Sequence, residues 1–141
     1  MAKVIGCSEA ASWLQPLLNG ESAAKLMTLF GGDRISCVDE AVAVMVDGQI
    51  VGLATIAPNG ESGSGKPTIV GAYVLPAFRG KGFGRQLLEF AIRRCLERGF
   101  MKIRLDVMSA SVRYIVGFLP GELKSALDVV DCGDVLDSLL G

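Results

Sequence analysis

The clearest chemistry in this sequence lies in segment 79–85, RGKGFGR, which holds three glycines and three basic residues. Glycine lets the backbone adopt positive φ values and pass close to a ligand, so that N–H groups can point toward it. A helix beginning here would add N–H groups without intrahelical partners and the positive end of its dipole. Together these groups suit an anion, above all a phosphate, and we expect the backbone from Gly80 to Gly84 to make most of the contacts.

The flanking residues place this segment between a strand and a helix. Residues 69–75 form a nearly continuous apolar run, as in a central strand buried on both faces, and Pro76 ends it. Beyond the glycines, apolar side chains recur at helical spacing until Gly99, a natural helix end. These side chains are Phe83, Leu87, Leu88, Ala91, Ile92, Cys95 and Leu96. Residues 101–107 alternate between apolar and polar, which predicts a half-buried strand.

The N-terminal part predicts a strand, helices and a hairpin. Asp47-Gly48 separates two β-rich runs at 41–46 and 49–57, and both of its positions tolerate the positive φ of a tight hairpin turn. Ahead of the hairpin, a short strand is expected at 3–7 and helical segments between residues 8 and 30.

The C-terminal part gives a weaker pattern. Residues 111–118 predict a short helix. The strand at 101–107 should run parallel to the one at 69–75, because a short connection through a helix favours a parallel crossover. Segments 121–127 and 134–140 have mixed periodicity, so both helix and strand remain open for them.

Composition excludes several classes of function. The 141-residue chain has no histidine, which excludes a Ser-His-Asp or Cys-His arrangement and disfavours zinc, so we expect no metal site. A formal net charge of −1 gives no electrostatic case for nucleic acid. The apolar runs are too short for a membrane span, and four scattered cysteines indicate reduced thiols in a cytoplasmic protein. At this length we expect one domain over residues 1–141.

A second glycine-rich stretch, 60–67, nearly fits the P-loop pattern. A P-loop requires a helix after it, whereas a strand follows here, and Pro67 stands where the hydroxyl that binds Mg²⁺ would be. We therefore interpret residues 58–66 as a flexible polar connection.

The first glycine segment carries a family resemblance. Arg79-Gly80-Lys81-Gly82-Phe83-Gly84 resembles the acyl-CoA pyrophosphate loop of the GCN5-related N-acetyltransferases (GNAT), whose pattern is Gln/Arg-x-x-Gly-x-Gly/Ala. The resemblance implies acetyl-CoA as the cofactor, with pantetheine paired to the strand that ends in Tyr73-Val74-Leu75-Pro76. The implied cofactor-binding residues are Val74, Leu75, Arg79, Gly80, Lys81, Gly82, Phe83, Gly84 and Arg85.

The same resemblance implies a fold and a reaction. The fold would be α/β (α+β), with a mixed, mostly antiparallel sheet of about 5–7 strands that is flanked by helices and splays near Val74 to admit the cofactor. The enzyme would move an acetyl group from acetyl-CoA to a primary amine of a small molecule or peptide, by direct attack in a ternary complex. We expect no nucleic-acid or membrane partner, and a homodimer in which the apolar segment 129–140 packs across the interface.

Acetyl transfer to an amine needs a base for the amine and a proton for the leaving thiolate. Members of the resembled family often use a Glu or a relayed water as the base and a Tyr as the acid. The cofactor strand holds no carboxylate, so Asp106 and Glu40 are the candidates for the base. Tyr114 is the candidate acid and stands three positions before Gly117-Phe118, where the family has four. Tyr73 is a second candidate donor.

The backbone also enters the predicted chemistry. The N–H of Val74 or of Leu75 is expected to stabilise the developing oxyanion. A covalent cysteine intermediate is not expected, because the chain has no histidine to activate a thiol. Since the acid and base depart from the family pattern, a non-catalytic acyl-CoA-binding or sensor module with a degenerate site is the alternative, and a nucleotide-phosphate binder is a third hypothesis.

Overall fold

The computed structural model describes residues 2–6, 9, 12, 40–57, 67–107 and 110–131. In these residues six strands form one sheet, in which each strand neighbours the next along the chain. The strands are β1 (Ala2–Gly6), β2 (Glu40–Val46), β3 (Gln49–Ala57), β4 (Thr68–Val74), β5 (Ile103–Val107) and β6 (Leu127–Asp131). Pairing is antiparallel from β1 to β4 and parallel from β4 to β6. The predicted mixed, mostly antiparallel sheet is confirmed.

The hairpin between β2 and β3 turns at Asp47-Gly48, as predicted. Asp47 has a φ of 51° and Gly48 a φ of 78°. Two successive positive φ values match the right-handed twist of the flanking strands, so the turn closes without splaying them. The pair Val46↔Gln49 is the first of the hairpin.

Three helices and one 3-10 turn form between residues 67 and 131 of the described chain. They are the 3-10 turn Pro76–Phe78, α1 (Phe83–Glu97), α2 (Ala110–Gly117) and α3 (Gly121–Lys124). Helix α1 ends shortly before Gly99, which has a φ of 92° that glycine adopts readily. The predicted helices after the glycine segment and at 111–118 are confirmed.

Helix α1 covers one face of the sheet. Its buried side chains are Leu87, Leu88, Ala91, Ile92 and Cys95. They belong to one core with residues of the central strands, among them Ile56, Ile69 and Leu105, all fully buried. Burying each such aliphatic side chain stabilises the fold by about 1.5–3 kcal/mol. This core fixes the position of α1 on the sheet, and with it the position of the N-terminus of the helix.

Segment 121–127, for which helix and strand were both open, contains one of each. Leu123 of α3 and Ala126 after it are buried in the core beneath α1. The chain then enters β6, which pairs in parallel with β5 from Ile103↔Leu127 to Val107↔Asp131. Burial of Leu123 and Ala126 places α3 against the core, and pairing with β5 holds the residues from Leu127 onward as a strand.

Some predicted elements lie outside the described residues. These are the connection 58–66, the segment 134–140 and most of the predicted helical segments between residues 8 and 30. Within the last of these, only Glu9 and Ser12 are described, and both are helical. Among the residues that the structure describes, no helix is long and apolar enough to cross a membrane.

Gly52 of β3 allows α1 to lie close to the sheet. A Cβ atom at Gly52 would lie 3.0 Å from Val44 Cγ1, 3.1 Å from Leu87 Cδ1 and 3.2 Å from Tyr73 O. A glycine inside a strand often marks such a close approach. Any side chain at this position would push α1 away from the sheet or distort β4.

The substitution Gly52→Ala should therefore lower the free energy of unfolding by about 1–3 kcal/mol, because the added methyl group overpacks the core. Gly121→Ala is the matched control, since nothing lies within 4 Å of its added Cβ. It should change the free energy of unfolding by less than about 1 kcal/mol. Urea unfolding followed by circular dichroism measures both, and equal losses in the two variants would contradict the close packing of α1 on Gly52.

Candidate functional site

Strands β4 and β5 separate part-way along the sheet. Their register contains only two pairs, Thr68↔Arg104 and Ile69↔Leu105, whereas β5 remains paired with β6 through Val107. The second half of β4 therefore has an edge that no described strand covers. This is the predicted splay, and it confirms that the sheet opens near Val74.

A β-bulge in β4 determines which backbone groups face this open edge. Thr55 pairs with Gly71 but Ile56 pairs with Ile69, so Val70 is an extra residue in β4. An extra residue reverses the direction in which the following N–H and C=O groups point. As a result, the N–H and C=O groups of Val74 point to the side of β4 that pairs with β5 at the start of the strand. Beyond Ile69 this side faces the gap between β4 and β5.

The hydrogen bonds of the adjacent residue support this orientation. The Leu75 N–H donates to Val51 O of β3 at 2.9 Å. Successive residues of a strand direct their N–H groups to opposite edges, so the Val74 N–H points away from β3 and toward the gap. Of the two predicted oxyanion donors, Leu75 is wrong because its N–H is used within the sheet. The Val74 N–H is the group that the geometry leaves for this role.

Arg79 closes back onto the same edge. Its Nε donates a hydrogen bond to Val74 O at 2.9 Å, and its guanidinium carbon lies 5.3 Å from the centroid of the Tyr73 ring. The 3-10 turn Pro76–Phe78 reverses the chain between the two residues, and its Phe78 N–H donates to Leu75 O at 2.9 Å. Arg79 thus contacts the strand in addition to contributing positive charge to the glycine segment.

Two residues of the glycine segment have a backbone conformation that glycine adopts readily. Gly80 has a φ of 76° and Gly82 a φ of 84°, and, apart from their chain neighbours, no described residue has an atom within 4 Å of where a Cβ would be at either glycine. Glycine is needed here for its backbone conformation, and the space beside it is open. Gly82 is also the N-cap of α1.

The first turn of α1 offers N–H groups to this open space. The first hydrogen bond inside the helix runs from the Gln86 N–H to Gly82 O at 3.1 Å. The N–H groups of Phe83, Gly84 and Arg85 precede it, so they lack the intrahelical acceptors that later residues have. Unpaired N–H groups at the positive end of a helix dipole fit a phosphate, and these residues therefore fit the pyrophosphate of CoA.

Gly84 is needed for a different reason. A Cβ at this residue would lie 3.2 Å from Ile115 Cδ1 of helix α2. Its role is to let α2 lie against the start of α1. The contact brings α2, which carries Tyr114, beside the glycine segment.

The basic side chains of the segment are held locally. Lys81 Nζ lies 5.7 Å from the centroid of the Phe78 ring. Arg85 Nε donates to Glu89 Oε1 at 2.9 Å, an ion pair one helical turn apart in which the Arg85 side chain is half exposed. Such an exposed pair contributes little to stability, about 0.3–0.5 kcal/mol, so a stronger anion can displace Glu89 from Arg85.

The two tyrosines differ in burial. Tyr73 is only 7% exposed, and it is absent from the α1 core to which its neighbours Ala72 and Val74 contribute. Tyr114 is 70% exposed on α2, where its ring lies 4.7 Å from that of Phe118. The Tyr73 ring contacts the Arg79 guanidinium and the Tyr114 ring contacts Phe118.

The candidate bases are placed by their backbones alone. Asp106 lies in β5, in register with Val130. Glu40 begins β2, in register with Ile56 of β3. The side chains of Asp106 and Glu40 lie outside what the structure describes.

No sequence pattern predicts two of the contacts in the site. The bond from Arg79 to Val74 depends on the turn that brings the chain back, and no local pattern indicates it. The contact of Ile115 with Gly84 depends on how α2 docks on α1. Only Gly84 itself gives a signal, because a glycine in the first turn of a helix suggests a close neighbour.

The model of the acetyltransferase (GNAT) family matches residues 9–118. The chain belongs to this family. It is therefore an acetyl-CoA-dependent N-acetyltransferase, which confirms the family, the cofactor and the reaction predicted from the glycine segment. A search of curated proteins found no match to this chain.

Solved structures agree with this membership. Ribosomal-protein-alanine N-acetyltransferase from Brucella melitensis biovar Abortus 2308 is 25% identical, with 74% of this chain and 78% of that chain covered and a TM-score of 0.52. A GNAT family N-acetyltransferase (YhbS) from Escherichia coli in complex with CoA is 16% identical, with coverage of 93% and 88% and a TM-score of 0.59. Aminoglycoside N-acetyltransferase AAC(6')-Iy in complex with CoA is 19% identical, with coverage of 85% and 90% and a TM-score of 0.57.

The substitution Gly82→Glu should weaken CoA binding by roughly 100-fold or more, because it places bulk and negative charge where the N–H groups face the phosphates. Gly99→Glu is the matched control: its φ of 92° gives the same backbone strain, but it lies at the other end of α1. Both variants should lose about 1–2 kcal/mol of stability, and only Gly82→Glu should lose CoA binding. Isothermal titration with CoA measures the difference, and undiminished affinity in Gly82→Glu would sink the assignment of this segment.

Proposed function

We propose that this acetyltransferase binds acetyl-CoA with its pantetheine arm along the open edge of β4 and its pyrophosphate at the N-terminus of α1. A primary amine then attacks the acetyl group directly, in a ternary complex. The observation that carries the proposal is the continuity between the uncovered edge at Val74 and the free N–H groups of Phe83, Gly84 and Arg85. An extended ligand with amides at one end and phosphates at the other matches both parts.

The phosphate end of the site depends on backbone groups. Gly80 and Gly82, both at positive φ, lead the chain into α1, where the N–H groups of Phe83, Gly84 and Arg85 precede the first hydrogen bond of the helix. Backbone donors and a helix dipole are fixed in place, so they bind a phosphate without ordering flexible side chains. Lys81 and Arg85 add positive charge from more exposed positions and are the more replaceable contacts.

The reacting end depends on the Val74 N–H. Acetyl transfer places negative charge on the carbonyl oxygen of the acetyl group, and a donor fixed in a strand stabilises that charge without reorganisation. The Val74 N–H faces the gap between β4 and β5, where this oxygen would lie. Holding the amine and the acetyl group together in one complex supplies a further part of the rate.

The proton transfers are assigned to residues around the gap. Asp106 is the first residue of β5 beyond its last pair with β4, so its backbone borders the gap, and we assign it the role of base. Tyr114 is assigned the role of acid, since α2 lies beside the glycine segment and its ring is exposed. Tyr73 is the second candidate acid, although its ring lies beneath Arg79.

The acceptor is proposed to be a primary amine of a small molecule or a peptide. The names of two related enzymes cover both classes, because one is a ribosomal-protein-alanine and the other an aminoglycoside N-acetyltransferase. We further propose a single domain over residues 1–141 that acts in the cytoplasm, in keeping with its scattered cysteines. We also propose a homodimer through the segment 129–140, whose first residue, Val129, is 43% exposed. A monomer in light scattering would contradict this dimer.

Release of free thiol from acetyl-CoA in the presence of an amine tests the reaction. The wild-type protein should release thiol with at least one member of a panel of polyamines, aminoglycosides and peptides with free N-termini or lysines. Gly82→Glu is the control, since it should remove turnover together with CoA binding. Tight CoA binding with no thiol release across the whole panel would overturn the proposed transfer and favour a binding module.

The substitution Tyr114→Phe tests the acid. It removes the hydroxyl but keeps the ring contact with Phe118, so kcat should fall by about 100-fold or more while the melting temperature stays constant. Phe118→Leu is the matched control, because it removes the ring contact and keeps the hydroxyl. A fall of less than about threefold in Tyr114→Phe, equivalent to roughly 0.7 kcal/mol, would exclude Tyr114 as an essential proton donor.

A further inference from the structure

We propose that Arg79 is a positioning residue that occupies the pantetheine-pairing carbonyl of Val74 in the free enzyme and turns to the phosphates when CoA binds. The inference rests on the proposed function, because it assumes that pantetheine lies along β4. It adds a competition between a side chain of the enzyme and its own cofactor. Arg79 would oppose ligands without phosphates and favour ligands that carry them.

The bond between Arg79 and Val74 lies where an extended ligand must pair. Val74 O faces the same open edge as the Val74 N–H, since both groups of one residue point to one side of a strand. A pantetheine amide that pairs along this edge would donate its N–H to the Val74 C=O, while the Val74 N–H stays available for the acetyl oxygen. Arg79 Nε already donates to that carbonyl at 2.9 Å. In the proposed exchange, a pantetheine amide that pairs along the strand takes the place of the guanidinium at this carbonyl.

Tyr73 helps to hold Arg79 in this position. The guanidinium carbon lies 5.3 Å from the centroid of the Tyr73 ring, within the range of a cation–π contact. The Tyr73 ring is buried and therefore fixed, whereas Arg79 is exposed. Exposed contacts of this kind are weak enough to be exchanged for a better one.

The phosphates of CoA provide that better contact. Arg79 directly precedes Gly80, so its side chain starts at the edge of the anion site. A guanidinium bound to phosphate makes paired hydrogen bonds between opposite charges, whereas its bond to Val74 O has only one charged partner. Leaving Val74 is therefore favourable when phosphates are present and unfavourable when they are absent.

Binding measurements with Arg79→Leu test this exchange. The variant removes both the competitor for Val74 O and a phosphate contact. The affinity for pantetheine, which has no phosphate, should therefore rise by about threefold, while the affinity for CoA should fall by about tenfold. Titrations followed by NMR or calorimetry measure both dissociation constants. Arg93→Leu is the matched control: Arg93 lies on α1 and pairs with Glu122 at 3.5 Å, and its loss should change neither affinity.

The opposite signs separate this role from a purely structural one, because general loosening of the site would weaken both ligands. A pantetheine affinity that is unchanged or reduced in Arg79→Leu would overturn the inference. If that variant does not fold, the Arg79 Nε–H NMR signal of the wild type serves instead, and it should shift on saturation with pantetheine. A signal that stays constant would also overturn the inference. Failure of the wild type to bind CoA at all would overturn the proposed function itself.

Discussion

Backbone groups inside a sheet are normally paired on both edges, and β4 departs from this beyond Ile69. Two pairs with β5 anchor the start of the strand, and the extra residue Val70 then turns the next groups toward the gap. The site depends on this one unpaired edge. A strand fully paired with β5 would be more regular, but it would have no N–H to offer a ligand. Arg79 satisfies one of the exposed groups, Val74 O, which limits the cost of keeping the edge open.

The anion end of the site is positioned by the core. Five buried residues of α1 fix the helix on the sheet, so its N-terminus lies at a defined place beyond β4. The glycines around it serve two separate purposes. Gly80 and Gly82 supply positive φ next to open space, while Gly84 makes room for Ile115 of α2.

In the proposed complex, fixed backbone groups bind the two ends of the cofactor. They are the Val74 N–H and the first N–H groups of α1, which do not titrate in the physiological range. Arg79 connects the two ends, because it contacts β4 by its side chain and adjoins the anion site by its backbone. In the proposed complex, binding and alignment of the cofactor are therefore properties of the fold, and the proton transfers are assigned to side chains around the gap.

The sequence by itself determined the elements whose signals are local. Asp47-Gly48 predicts its turn because the required φ values suit few residues, and the apolar stripe after the glycine segment predicts helix α1. Only the tertiary structure decided which backbone groups face the gap. One inserted residue in β4 reverses every later N–H, so Val74 and Leu75 look equivalent in sequence and differ in the sheet. The positions of Arg79, Tyr73 and Tyr114 were likewise decided by contacts between residues of different elements, which no local pattern encodes.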